Sequence, residues 1–343
     1  MDASEIVVQG SSDTLTVISD ELKTGLDGLL DQDVPTATSV TQDGAVVAGT
    51  PASSSIIAAL GWGTELAALG EEGYLIRSAV VDGKNVAVIA SEGEVGALYG
   101  SFHFLRLIQT GQSLASLDLS ESPKIKTRML NHWDWDKYGD ELLVERGYAG
   151  NSIWKWSELP GTVDSRYTDY ARANASIGIN GTVLNNVNAQ VEILTPEYLA
   201  KVAALADVFR PYGIKVYLTA RYDAPEALSS LTTSDPRIPA VRDWWDAKVA
   251  EIYGLIPDFG GFLVKADSEG NPGPNTYGMN HAEGANPIAE ALAPHGGLLI
   301  WRAFVYDSRV DADRVKRAYK QFLPLDGDFS TNVFVQVKNG PLD

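Results

Sequence analysis

The chain has 343 residues, 45% hydrophobic and 21% charged, the makeup of an ordinary globular protein with room for two domains of about 100–250 residues each. It contains no Cys, which excludes disulfides, zinc-thiolate sites and cysteine nucleophiles. Its 27 Lys and Arg against 45 Asp and Glu leave a formal charge of −18, a surface that repels nucleic acid and anionic membrane, so an anionic substrate would need a local cationic pocket.

No run of 18 apolar residues is present, so no membrane span is expected. MDASEIVVQG lacks the basic and apolar parts of a signal peptide, and the chain reads as cytoplasmic or cell-associated, or as secreted if a leader was removed. The sequons at Asn174 and Asn180 fall in an expected helix and at a strand start and carry little weight.

Residues 1–120 read as a small α+β domain. EIVVQG, TLTVIS, GAVVAGT, EEGYLIRSAVV and KNVAVIAS have the β-branched makeup of strands, with turns at Asp43-Gly44 and Asp82-Gly83. SSSIIAALGWGTELAAL and VGALYGSFHFLRLIQTG have helical periodicity, the second ending at Gly111. SLASLDLSESPKIK reads as a linker, with Pro123 as the natural boundary.

Residues 121–343 alternate strand and helix. Strands are expected at TRMLNHW, INGTVLNNVN, IKVYLTARY, FGGFLVKAD, GLLIWRAF and NVFVQVKNG, with helices over the intervening segments. Such spacing requires crossover helices and a parallel sheet. Each apolar run ends in polar groups: Asn131 to Trp133, Asn185 to Asn188, Arg221, Lys265 to Glu269, Arg302, and Lys338 with Asn339. Polar groups at every strand end point to a (β/α)₈ barrel, whereas a doubly wound sheet gathers its site at one switch point. About six strands are found where closure needs eight, so an incomplete barrel from the front of a longer protein is expected.

The stretch LVKADSEGNPGPNTYG carries the most chemistry. Its apolar run climbs into Lys265, Asp267 and Glu269 on one face and breaks at Gly270, Pro272, Gly273 and Pro274. A carboxyl group at such a strand end, near a cation, suits general acid work. Lys265, Arg302 and Lys338 would each be structural if taken singly; at the ends of consecutive strands they suit convergence on one anion. Asp267 reads as orienting Lys265 or capping the loop. His132, Asp134 and Asp136 make a thin metal site, and no metal or other cofactor is expected. Asn185, Asn186 and Asn188 divide evenly between sugar binding and loop support. Trp133, Trp154 and Trp156 are expected in loops at the barrel mouth, Trp154 being the first choice for stacking on sugar, while Trp244 and Trp245 read as helix packing. His281 and Glu283 read as bracing the acid loop.

These motifs resemble the glycoside hydrolase family 67 α-glucuronidases. The resemblance runs from NHWDW (131–135) and ERGYAG (145–150) through SIGINGTVLNNVNA, FRPYGI, WWDAKVAEIYGLIPDFGGFLVKADSEGNPGP, HAEGAN and LAPHGGLLIWRAFVYD to VKNGPLD (337–343). It implies an enzyme that removes α-1,2-linked glucuronic acid, or its 4-O-methyl form, from the terminal xylose of xylo-oligosaccharides with inversion. Carried over by position, it makes Glu269 the general acid and Asp343 a candidate general base. It assigns Lys265, Arg302 and Lys338 to the sugar's carboxylate and Trp154 to the sugar pocket. Inversion requires the two catalytic carboxyls roughly 6.5–9.5 Å apart to admit water.

Three departures from the family pattern stand out. The segment between Trp133 and Glu145 is longer, and Met279 and Asn280 replace Arg and Thr. A downstream Glu, a second candidate base, is absent with the last two strands and the helical C-terminal domain that family dimers use, so the dimer interface is expected to be missing. One alternative is a catalytically inactive carbohydrate-binding fragment. Another is a hexosaminidase-like barrel glycosidase, although a neutral amino sugar gives three cations nothing to bind. A metal-dependent hydrolase comes last.

Overall fold

The computed structural model describes residues 3–138, 141–145, 152–188, 190–268, 270–304 and 311–337. The chain divides into two compact units. The first comprises Met1–Arg128, Thr168–Asn180 and Val208–Ile214, and the second Met129–Tyr167, Gly181–Asp207 and Lys215–Asp343. No helix among the described residues is long and apolar enough to cross a membrane.

The first unit is built on a mixed sheet. Strands β1 (Glu5–Val8), β2 (Thr36–Ala37), β3 (Ala45–Gly49), β4 (Tyr74–Val81), β5 (Lys84–Ser91) and β6 (Asp118–Glu121) lie in the order β2-β1-β3-β5-β4-β6. β1, β2, β3 and β5 pair in parallel, whereas β4 runs antiparallel to β5 and β6. The β4–β5 hairpin turns on Asp82 and Gly83, both at positive φ (48° and 76°), the backbone a two-residue turn of this hand requires. Val7, Val47, Leu75 and Val88 fill one core with Ile57 and Leu66.

Three expectations for this unit are corrected. TLTVIS is not a strand: it opens helix α1 (Asp13–Leu30). Ser12 caps that helix by accepting from the Leu15 amide at 3.1 Å. Leu15, Ile18, Leu22 and Leu26 bury one helical stripe, and this periodicity outweighs the β-branched makeup of residues 14–18. SSSIIAALGWGTELAAL forms two short helices, α2 (Ser55–Ala59) and α3 (Gly63–Leu69), parted where Gly61 takes φ +73°. The expected linker supplies an edge strand, β6, beside β4. Helix α4 (Glu94–Gln109) follows its expected span.

The second unit is built on a parallel sheet. β7 (Met129–Asn131), β10 (Gly181–Val183), β11 (Lys215–Thr219), β12 (Gly261–Val264), β13 (Leu298–Arg302) and β14 (Val333–Gln336) lie in the order β14-β13-β12-β11-β10-β7. Helices α5 (Ser165–Ala175), α6 (Pro196–Phe209), α7 (Ala224–Ala227), α8 (Pro239–Leu255), α9 (His281–Leu292) and α10 (Arg314–Phe322) occupy the connections. Six parallel strands in sequential order with crossover helices are the incomplete (β/α)₈ barrel that the spacing predicts. The longer segment after Trp133 contains a hairpin of β8 (Asp134–Tyr138) and β9 (Glu141–Glu145), which the strand pattern did not reveal.

Register explains the layering. Val183 pairs with Tyr217, Leu263 with Ile300, and Val183, Tyr217, Leu263 and Ile300 form one buried cluster. Two residues further along each strand, on the same face, stand Asn185, Thr219, Lys265 and Arg302. An apolar layer is thus capped by a polar one, as in barrel interiors. The opposite face meets the helices: Trp245 of α8 packs edge-on against Phe262 at 5.8 Å, and Trp301 against His281 of α9 at 5.9 Å. The double glycine before β12 is steric. A Cβ on Gly260 would lie 2.2 Å from the Tyr217 ring, and one on Gly261, at φ +129°, would lie 1.9 Å from the Leu298 carbonyl oxygen.

Candidate active site at the strand ends

Lys265 and Arg302 come together. Val264 pairs with Trp301, so the next residue on each strand, Lys265 and Arg302, are neighbours. Lys265 Nζ lies 5.5 Å from the centre of the Phe304 ring, and the Arg302 guanidinium carbon 5.0 Å. One aromatic ring therefore lies within reach of two cations. Phe304 was not singled out from sequence, although its place two residues after Arg302 gives it the same face in an extended chain.

Lys265 is only 2% exposed. Its ammonium donates to Asn188 Oδ1 at 2.6 Å, and Asn271 Nδ2 donates to the same oxygen at 3.1 Å. The Asn188 amide in turn donates to Asn186 Oδ1 at 2.9 Å. A neutral acceptor thus contacts the buried ammonium directly. The three asparagines thus have separate roles. Asn188 holds Lys265, Asn186 donates to the Trp133 carbonyl at 3.4 Å, and Asn185 ties β10 to β11 by exchanging hydrogen bonds with the Thr219 backbone (2.8 and 3.2 Å). Arg221 is chelated by Asp223 at 2.9 and 2.5 Å.

Asp267 shapes the loop. It takes φ +53°, a left-handed conformation that Asp tolerates better than most residues, and its carboxylate accepts from the Asn275 amide at 3.1 Å. A Cβ on Gly273 would come within 2.5 Å of the Asp267 carboxyl carbon, so the glycine makes room for this turn. Asn280, one of the departures from the family pattern, caps α9. It accepts from the Glu283 amide at 2.9 Å and its own amide donates to the Glu283 carboxylate at 2.8 Å. Glu283 therefore closes the capping box at the start of the helix that follows the loop.

Trp154 is buried rather than open at the mouth. Its indole donates to the Leu184 carbonyl at 3.1 Å, and its ring meets His132 edge-on at 5.0 Å and Tyr167 at 5.7 Å. The Trp156 indole donates to Asp134 at 2.7 Å, and Ser152 donates to the same carboxylate. Burial lowers the His132 pKa to about 4, and that of His281 likewise, so both rings are neutral at pH 7. The His281 ring accepts from the Trp301 indole at 3.1 Å. Among the described residues, no group of three His, Asp or Glu side chains is placed to hold a metal ion. Glu269, Lys338 and Asp343 lie outside the described residues.

Comparison with known proteins gives the family. The sequence matches the glycosyl hydrolase family 67 middle domain over residues 107–343 and the family 67 N-terminus over residues 2–104. The chain belongs to glycosyl hydrolase family 67. A probable alpha-glucuronidase A of Aspergillus terreus is 42% identical over 282 residues, covering 80% of this chain and 32% of the relative. The alpha-glucuronidase A of Emericella nidulans is 42% identical over 281 residues (80% and 33%), and the probable alpha-glucuronidase A of Neosartorya fischeri 38% over 349 residues (99% and 40%). The family 67 chain thus spans about a third of the length of the curated relatives it matches. Among solved structures, a GH138 enzyme targeting pectin rhamnogalacturonan II matches with a TM-score of 0.58 at 13% identity, over 97% of this chain and 38% of that one. CpGH84D matches at 0.55 and 13%, over 98% and 52%. These likenesses concern the fold alone.

Proposed function

We propose that the chain carries the uronic-acid pocket and general acid of an α-glucuronidase. Its substrates would be xylo-oligosaccharides bearing α-1,2-linked glucuronic acid or its 4-O-methyl form. The observation that carries this reading is the convergence of Lys265 and Arg302 on Phe304 at adjacent strand ends in a chain of charge −18. A carboxylate entering there finds a planar guanidinium fork and a buried ammonium held by Asn188, a charge-assisted set that a neutral sugar does not satisfy. Lys338 would complete the cradle from β14, and Trp154 with His132 would form the buried wall below it.

In the proposed reaction Glu269, protonated, donates to the glycosidic oxygen, while Asp343, ionised, deprotonates a water attacking from the opposite face of the ring. Bond making by water and bond breaking at the xylose oxygen occur in one displacement, with inversion. The test is release of glucuronic acid from aldobiouronic and aldotriouronic acids by the purified chain, beside a Glu269→Ala control. Release that disappears in the control supports the reading. Release that persists in the control removes Glu269 from the acid role. No release, with glucuronate still bound and lost in Arg302→Ala, would leave a binding pocket without catalysis.

A further inference from the structure

The first unit contains a cavity of about 310 Å³ that the proposed hydrolysis does not use. This is near the lower end of the range for small-molecule sites, room for one or two sugar rings. Its wall is built by one face of α4. Tyr99, His103 and Arg106 follow one another at spacings of four and three residues and all line it, joined by Tyr74 and Glu121, which pair across β4 and β6.

These groups are held firmly. The Tyr74 ring lies against Gly100, where a Cβ would come within 3.1 Å of it, and its hydroxyl bonds to His103 Nδ1 at 2.9 Å. Arg106 donates to the Ser176 carbonyl at 2.7 Å. Arg128, also in the lining, is held by the Glu72 carboxylate through both terminal nitrogens at 3.1 Å, and Glu72 accepts from Asn180 at 2.9 Å as well. Tyr99 is 6% exposed, and the Arg128 guanidinium carbon lies 6.0 Å from the centre of its ring.

The charges balance. Glu72 answers Arg128, and Glu121 stands in the lining with Arg106. Burial pushes the Tyr74 phenol up to about 12 and the Tyr99 phenol up as well, so both stay protonated. Burial, followed by the neighbouring Arg106, lowers His103, which is therefore neutral at pH 7. The lining thus combines aromatic faces, the apolar Pro123 and Ile177, and neutral hydrogen-bonding groups, with no net charge to attract an acid. That combination suits a ring with apolar C–H faces and equatorial hydroxyls.

We propose that this cavity is a second carbohydrate site that takes a neutral pyranose, separate in its residues from the strand-end pocket. The choice of xylose among neutral pyranoses rests on the functional reading above. A polysaccharide chain held at this cavity would remain near the enzyme between hydrolytic events, raising its effective concentration.

The test is ligand-observed NMR titration of the full chain with xylobiose, with glucose and with glucuronate. Xylobiose binding should survive Arg302→Ala. It should weaken about fivefold in Tyr74→Phe, which removes one hydroxyl, and more in His103→Ala, with melting temperatures held near that of the parent. Glucose bound through Tyr74 and His103, in a chain that releases no glucuronic acid, would keep the site and discard the xylose assignment. Binding indifferent to Tyr74 and His103, binding lost only in Arg302→Ala, preference for glucuronate here, or no binding of any neutral sugar would each overturn the proposal.

Discussion

The two sheets of this chain begin from similar material, short strands rich in Val, Ile and Leu, and finish them differently. In the first unit the parallel strands end at Val8, Gly49 and Ser91, and the Ser91 hydroxyl donates to the Gly73 carbonyl at 2.6 Å. In the second they run into Asn131, Asn185, Lys265, Arg302 and Gln336. The first sheet spends its strand ends on its own backbone, whereas the second leaves charge at the end of a packed apolar layer. Lys265, at 2% exposure, is the most deeply buried cation of that polar layer, and Asn188 accepts from it.

The largest expected effect breaks the second sheet. Gly261→Ala would drive a methyl group into the Leu298 carbonyl oxygen at a backbone angle that L-residues avoid, and β12 and β13 could not keep their register. A loss of about 4 kcal/mol or more is expected in urea unfolding, enough to remove much of a domain's stability. A loss below 1 kcal/mol would mean that the pairing shifts without cost.

Acid weighs more on the second unit, although burial lowers His103 of the first unit as well. His132 and His281, both in the second unit, stay neutral to about pH 4 when folded, whereas the unfolded chain takes up their protons near pH 6.5. Their contribution is therefore intact above pH 6.5 and is lost as pH falls towards 4, by on the order of 3 kcal/mol for each residue. In the first unit the buried Glu5 carboxylate follows the same sign in a lower pH window. Burial raises its pKa, but donation from the Thr41 hydroxyl and the Thr41 and Gln42 amides outweighs this and lowers it. Its support persists above the unfolded carboxylate range and is lost only as pH falls through its lowered folded pKa. Seven of the eight Trp lie in the second unit, so Trp fluorescence should report a falling urea midpoint between pH 6.5 and 4. A flat midpoint across that window would contradict the burial of the two rings.

Asn188→Ala sharpens the comparison at the site. Removing the acceptor of the Lys265 ammonium should weaken glucuronate binding about ten- to thirtyfold, the worth of one hydrogen bond to a charged group. Asn188→Asp, which adds a negative charge beside the ammonium, should weaken it more. The smallest effect has the opposite sign and belongs to the first unit. Gly28→Ala in α1, where a Cβ meets nothing within 4 Å, should stabilise by about 0.5–1 kcal/mol in thermal unfolding.

Much of this was legible in the chain because period and register are local. The six barrel strands and their polar ends follow from apolar runs of fixed direction, and Lys265 with Arg302 followed from their places at those ends. TLTVIS misled because β-branched residues 14–18 suit either state, and the helical stripe becomes visible only when it continues to Leu22 and Leu26. β6 was hidden in LDLSES because an exposed edge strand needs no apolar pattern. Phe304, Asn271 and the particular role of Asn188 depend on contacts between residues 39 to 83 apart, which no local pattern encodes.

The most direct test of the central claim is calorimetric titration of the purified chain with glucuronate and with glucose, beside Arg302→Ala and Lys265→Met. The account predicts that glucuronate binds at least about tenfold more tightly than glucose, and that either substitution removes this preference while the neutral sugar is unaffected. Equal affinity for the two sugars, or a preference for glucuronate that survives both substitutions, would contradict it.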